Sequence, residues 1–171
     1  MQRTSLAEFS CSIARTLDVF GEWWTPLIVR DVHLGLRRFE QIQSNLGISR
    51  KVLTQRLERL VEEDVLARRP YSERPPRDEY VLTERGRELV PILLALMAWG
   101  DRWTAGEDGP PMIVRHETCG QVITPVVGCP ACGEALTADA VPAEPGPGAR
   151  IGPGTREIAR MLGRGSTSPP A

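Results

Sequence analysis

Hydrophobic positions recur at helical spacing through the first part of the chain. Leu6, Phe9, Ile13, Leu17 and Phe20 define a first helix over residues 5–20 that stops at Gly21. Trp23 to Leu34 is dense in apolar residues and ends at Gly35. Pro26 fits only a first turn, so this second helix starts near Trp24 or Thr25, and its continuous apolar character predicts burial. Residues 38–45 form a short third helix with Phe39, Ile42 and Leu46 inward, closed by Gly47. In the next helix Leu53, Leu57 and Leu60 fall at i, i+4 and i+7, and Val61 widens the stripe. Lys51, Gln55 and Glu58 lie opposite, flanked by Thr54 and Arg59, and Ser49 is placed as the N-cap. Two helices joined by a tight glycine turn make a helix-turn-helix pattern.

The period then changes to two. Residues 65–71 and 79–83 alternate as strands, and the Pro-rich stretch 72–78 between them makes a hairpin with a basic tip. Thr83 caps a long helix reaching residue 103, in which Pro91 should produce a kink. The apolar face of that helix is wider than one small domain requires. The fold expected is therefore mainly α with a small β-hairpin wing, a winged helix-turn-helix over residues 5–103. Residues 104–111 read as a linker. Residues 112–140 form a small zinc-ribbon-like unit with β-prone runs at 112–114 and 121–127. Residues 141–171 are a Pro/Gly-rich tail, mostly disordered, in which 155–162 could form two frayed helical turns.

Charge sharpens this picture. The net charge is −1, yet residues 37–77 hold ten basic against six acidic side chains. The acids Glu62, Glu63 and Asp64 gather at the far end of the helix that Arg50 and Lys51 begin, so the positive field is local and one-sided. Two cations in a first turn oppose the helix dipole. A polyanion docking there would justify them, and a solvated basic face is the bland alternative. No run nears the roughly 18 apolar residues of a membrane span. No secretory signal is visible, so a cytoplasmic location is expected. The four cysteines are then expected as thiols or metal ligands.

Several stretches carry a family resemblance: Cys11-Ser-Ile-Ala-Arg-Thr-Leu-Asp18, Gly21-Glu-Trp-Trp-Thr25, Leu27-Ile-Val-Arg-Asp31, Arg37-Arg-Phe-Glu-Gln-Ile42, Ile48-Ser-Arg-Lys-Val-Leu-Thr-Gln-Arg-Leu57, Pro75-Pro-Arg-Asp-Glu-Tyr-Val-Leu-Thr83 and Gly86. Together they resemble the HxlR-type bacterial transcriptional regulators over roughly residues 9–103. The resemblance implies a homodimer that binds double-stranded DNA, with a recognition helix at 49–62, a wing at 66–82 and dimerisation through the first and last helices. The family pattern usually has Cys-Pro near its start, whereas Ser12 follows Cys11 here.

The residues agree with that role. Arg50 and Lys51 suit guanine O6/N7 and Gln55 suits adenine N6/N7, with Ser49 and Thr54 at their border. Arg74 and Arg77 at the wing tip suit a flanking minor groove or phosphates, and Arg37 and Arg38 suit a backbone contact. Arg56, beside the apolar stripe, fits a salt bridge as well as a DNA contact. The expected function is a regulator, in the first place a repressor, acting on a palindromic operator. Its effector, a small molecule or an oxidant, is not encoded legibly.

Two further groups carry chemistry. His116, Cys119, Cys129 and Cys132 are paired with two-residue spacers, and Gly120 and Gly133 follow them. Four N/S ligands so arranged suit structural zinc. A thioredoxin-like reading of Cys129 and Cys132 lacks a good helix start at Gly133-Glu-Ala-Leu-Thr. Cys11 stands alone, as a small buried residue or as a thiol sensor of the kind some members of this family use. The alternatives to a plain regulator are thus a redox-responsive one using Cys11, or a zinc-ribbon protein-interaction module. An enzyme finds no support, because no nucleophile motif or phosphate loop is present.

Overall fold

The computed structural model describes residues 5–165, with side chains through residue 162. The core is packed from four helices. α1 (Ser12–Phe20), α2 (Trp24–His33), α3 (Phe39–Leu46) and α4 (Arg50–Glu62) enclose Phe20, Ile28, Val29, Val32, Ile42, Leu53, Leu57 and Leu60. Val65 and Leu66, at the entry to the hairpin, complete it. The stripe Leu53, Leu57 and Leu60 is fully buried, as its spacing predicts.

β1 (Leu66–Glu73) and β2 (Pro76–Leu82) form the antiparallel wing, with Leu66 opposite Leu82 and Arg69 opposite Glu79. The register slips between Pro70 and Ser72, so Tyr71 sits in a bulge. The strands run further toward the tip than the alternation predicts, leaving only Arg74 and Pro75 as the turn. The Tyr80 N–H donates to the Arg37 carbonyl at 2.8 Å and pins the wing to the loop before α3.

Two carboxylates, Asp31 and Asp18, anchor the helices through polar contacts. The Asp31 carboxylate, 1 % exposed, accepts from Arg30 at 2.7 Å and from Asn45 Nδ2 at 2.8 Å, which locks α2 to α3. Asp18 accepts from the Leu6 N–H at 2.8 Å and faces Arg59 at 3.5 Å. That first contact explains why residues 5–11 are not helical: the chain folds back over α1 instead of extending it.

The long last helix is two helices. α5 (Glu84–Glu88) begins at Thr83, whose hydroxyl accepts from the Gly86 N–H at 3.0 Å, and α6 (Val90–Trp103) follows after Leu89. Pro91 occupies the first turn of α6 rather than kinking a continuous helix, because its ring and missing N–H are tolerated there. Gly86 is buried, and a β-carbon on it would stand 2.1 Å from the Val65 carbonyl oxygen, so α5 packs directly on backbone.

Beyond α6, β3 (Val114–Arg115) pairs with β4 (Val122–Ile123), and a 3-10 turn covers Ala138–Ala140. The hairpin leans on α6 and α2 around an apolar cavity of about 560 Å³ lined in part by Leu27, Leu93, Met97 and Ile113. In the tail α7 (Arg156–Gly165) forms, longer than two frayed turns. The approach to it is held against the N-terminal segment, since a β-carbon on Gly154 would meet Phe9 at 2.3 Å. The expectation of disorder over 141–171 reaches residues 166–171, which lie outside the described residues.

Candidate nucleic-acid interface

α3, the turn at Gly47 and α4 place one helix N-terminus at the surface. Gly47 takes φ 64° and turns the chain, and Ile48 drops into the core. Ser49 then caps α4, its hydroxyl accepting from the Val52 N–H at 3.3 Å. Arg50, Lys51 and Gln55 are exposed and Thr54 is half-buried at the margin of the apolar stripe.

Two of the basic residues lie over aromatic rings. The Arg50 guanidinium lies 4.6 Å over the Phe39 ring, and the Arg38 guanidinium 4.4 Å over the Tyr71 ring. Arg38, Phe39, Tyr71 and Arg77 line one surface groove between the start of α3 and the wing, together with the acids Glu40 and Asp78. A continuous ledge therefore runs from α4 through α3 to the wing: Arg50, Phe39, Arg38, Tyr71, Arg77. Arg37 and Arg74 are exposed beside it, Arg74 at the hairpin turn. Arg38 also begins α3, where its backbone N–H donates to Gln41 Oε1 at 3.0 Å.

Other basic residues of the same span are committed elsewhere. Arg56 pairs with Glu22 at 3.0 Å, in line with the salt-bridge role of the two open to it. Arg59 pairs with Glu63 at 2.7 Å, and Arg69 with Glu79 across the wing. On β2, burial pushes the Tyr80 phenol above its usual range against the opposing pull of Arg68. Phe39 and Tyr71 are the residues that sequence reasoning missed. Their signal is an aromatic shortly after an Arg-Arg pair, Phe39 after Arg37-Arg38 and Tyr71 after Arg68-Arg69.

The cysteine-bearing residues lie away from this ledge. His116 Nδ1 stands 3.3 Å from Cys119 Sγ, and Cys129 and Cys132 form a second pair. The backbone N–H groups of Cys132 and Ala131, with the Cys132 thiol, hold the Cys129 thiol below its usual range. Among the described residues no group of three or more His, Cys, Asp or Glu side chains is gathered closely enough to hold a metal ion, so the four stand as two pairs. Cys11 is half-buried at the N-cap of α1, its carbonyl accepting from the Arg15 N–H at 3.0 Å.

Known proteins share this architecture. A family profile described as HxlR-like helix-turn-helix matches residues 19–108. An HTH-type transcriptional regulator of Mycobacterium tuberculosis is 48 % identical over 137 residues, covering 80 % of this chain and 87 % of the relative. A match of that length extends beyond the winged helix-turn-helix into the C-terminal region. An HTH-type regulator of Synechocystis is 40 % identical over 98 residues, 57 % of this chain and 73 % of that one. The crystal structure of PA1607, a candidate transcription factor, superposes with a TM-score of 0.73 at 36 % identity, covering 82 % of this chain and 99 % of that one. The oxidised form of the redox regulator HypR gives a TM-score of 0.52 at 33 % identity, over 56 % of this chain and all of that one (100 %). No described helix is long and apolar enough to cross a membrane.

Proposed function

The chain belongs to the HxlR-like helix-turn-helix family of transcriptional regulators, and from that premise we propose that it binds a palindromic operator as a homodimer and represses transcription by occupying it. What carries the reading is the ledge from Arg50 to Arg77, where Arg50 and Arg38 lie over aromatic rings beside an exposed helix N-terminus. In this reading Arg50, Lys51, Gln55 and Thr54 face base edges in the major groove, and Ser49 borders them. Arg37 and Arg38 hold the phosphate backbone, while Arg74 and Arg77 reach the flanking minor groove. The homodimer is supported by Ile13 on α1 and by Ile92, Leu96, Trp99 and Trp103 on α6, all large apolar side chains left exposed.

Selection of bound sequences from random duplex tests this. An inverted repeat with half-sites about one helical turn apart is expected, with affinity falling steeply as salt rises. Absence of duplex affinity would leave a protein-interaction module as the better description.

A thiol-responsive form of the same function is favoured by one observation. Cys11 caps α1 at the edge of the proposed dimer face, and a protein of similar fold, HypR, is described as a redox regulator. Oxidant should then change duplex affinity in the parent and leave Cys11→Ser unaffected; equal responses would dismiss Cys11 as the sensor.

A further inference from the structure

The C-terminal unit builds one turn twice. In the first, the His116 N–H donates to the Gln121 carbonyl at 2.9 Å and the Gly120 N–H to the His116 carbonyl at 2.8 Å. In the second, the Cys129 N–H donates to the Glu134 carbonyl at 2.8 Å and the Gly133 N–H to the Cys129 carbonyl at 2.8 Å. His116 thus corresponds to Cys129, Cys119 to Cys132, and Gly120 to Gly133. The two glycines take φ 69° and 78°, a conformation that a side chain would strain.

Each turn closes its own hairpin. The first ends β3 and β4; the second is closed by the bridge between Gly128 and Ala135 and by the Leu136 N–H donating to Val127 at 2.8 Å. Both hairpins line one cavity against α6, Val122 and Ile123 from the first and Val127 and Leu136 from the second. The two tips therefore rise from a shared base.

A second observation is independent of the ligands. No residue between 112 and 140 is buried, and Ile113, Val126 and Val127 are 63 %, 73 % and 57 % exposed. A unit of this size without a core is not held by hydrophobic burial, and small units of this kind are commonly stapled by a metal or by disulfides. Cys119, Cys129 and Cys132 are free thiols.

We propose that the two turns are halves of one structural zinc site, with His116 Nδ1 and the sulfurs of Cys119, Cys129 and Cys132 as its four ligands. Three thiolates and one imidazole suit tetrahedral zinc, and four protein ligands leave no position for substrate. Each thiol gives its proton to solvent as its zinc–sulfur bond forms, His116 binds as the neutral ring, and nothing is oxidised or reduced. The ion draws the two pairs together and replaces the missing core.

Metal analysis of the full chain, purified without a histidine tag, tests the site, and its outcome does not depend on DNA binding. One zinc per chain is expected. Three of the four thiols should react only after chelation, leaving Cys11 as the thiol that reacts before it. Cobalt(II) exchanged into the protein should give the visible bands of a tetrahedral thiolate site. Cys119→Ser and Cys132→Ser should each lose the zinc while the helical circular dichroism of the rest remains. If either variant fails to fold, the thiol protection of the parent still decides the matter. Zinc-free protein whose thiols react alike before and after chelation overturns the proposal. So does iron with acid-labile sulfide, or a stoichiometry of one zinc per two chains.

Discussion

Arg50, the first residue of α4, holds its guanidinium 4.6 Å over the ring of Phe39, the first residue of α3. The two helix starts on either side of the turn are thus joined by a cation–π contact, worth roughly 0.5–1 kcal/mol at an exposed site. Phe39→Leu keeps an apolar side chain against the core and removes the ring. Weaker duplex binding by a few fold is expected, with the fold intact. Arg50→Ala should cost more: about 1–3 kcal/mol with relaxed specificity at one position if it reads a base, or a salt slope smaller by about one if it holds a phosphate. Binding titrations at several salt concentrations separate these results. Parental affinity in Phe39→Leu would mean that the ring does not position the cation.

Lys51→Ala and Gln55→Ala probe the rest of the helix. Both side chains are exposed, and their removal opens no cavity, so stability should move by no more than about 0.5 kcal/mol while duplex binding weakens. Leu57→Ala is the contrast. Leu57 is fully buried, and emptying that site should lower stability by roughly 2–5 kcal/mol. Urea unfolding and duplex titration on the same samples read both quantities. If Lys51→Ala and Gln55→Ala bind like the parent, the wing at Arg74 and Arg77 becomes the reader to test.

Asn45→Ala should destabilise the protein although the residue is on the surface side of α3. Its amide donates to the carboxylate of Asp31, which is almost wholly buried. Removing that donor leaves Arg30 as the donor in contact with a buried charge, at a cost of about 1–3 kcal/mol. A lower urea midpoint with an unchanged slope is the expected signature. An unchanged midpoint would show that water satisfies the carboxylate equally well.

The helices of the core were legible because burial leaves a period. Leu53, Leu57 and Leu60 announce α4, and Ser49 and Gly47 mark its start and the turn before it. The hairpin was legible from alternation, though its bulge at Tyr71 was not, because a one-residue slip leaves no separate pattern. The long last helix was misread at Pro91: a proline inside an apolar run fits a kink or a new first turn equally well in sequence, and the break at Leu89 is set by the tertiary packing of Gly86 on Val65. The start of α1 was misread because Leu6 and Phe9 keep helical spacing while the Leu6 N–H is taken by Asp18, a contact twelve residues away. The basic candidates were all visible as residue types. What the sequence concealed was their sorting: Arg56 onto Glu22 and Arg59 onto Asp18, Arg38 and Arg50 onto rings. That sorting depends on the neighbours each side chain meets across elements, which no spacing along the chain encodes.

The last prediction concerns assembly. α6 buries none of its residues within one chain, and Leu96, Trp99 and Trp103 are 56 %, 62 % and 62 % exposed. Apolar surface on this scale is favourable to cover, at roughly 25 cal/mol per Å² removed from water. A second copy covering it by two-fold symmetry would set two recognition helices on one face, as an inverted repeat requires. Sedimentation at micromolar concentration should give about twice the 18.9 kDa chain mass. Leu96→Glu should shift the protein to monomer, because each interface would gain a buried charge from both chains. The variant should keep its circular dichroism, since Leu96 lies outside the core, and should lose most of its affinity for the full operator while a single half-site is bound equally weakly by both proteins. A parent that sediments as a monomer would remove the dimer and the palindrome together. A Leu96→Glu variant that remains dimeric would move the interface away from this face of α6.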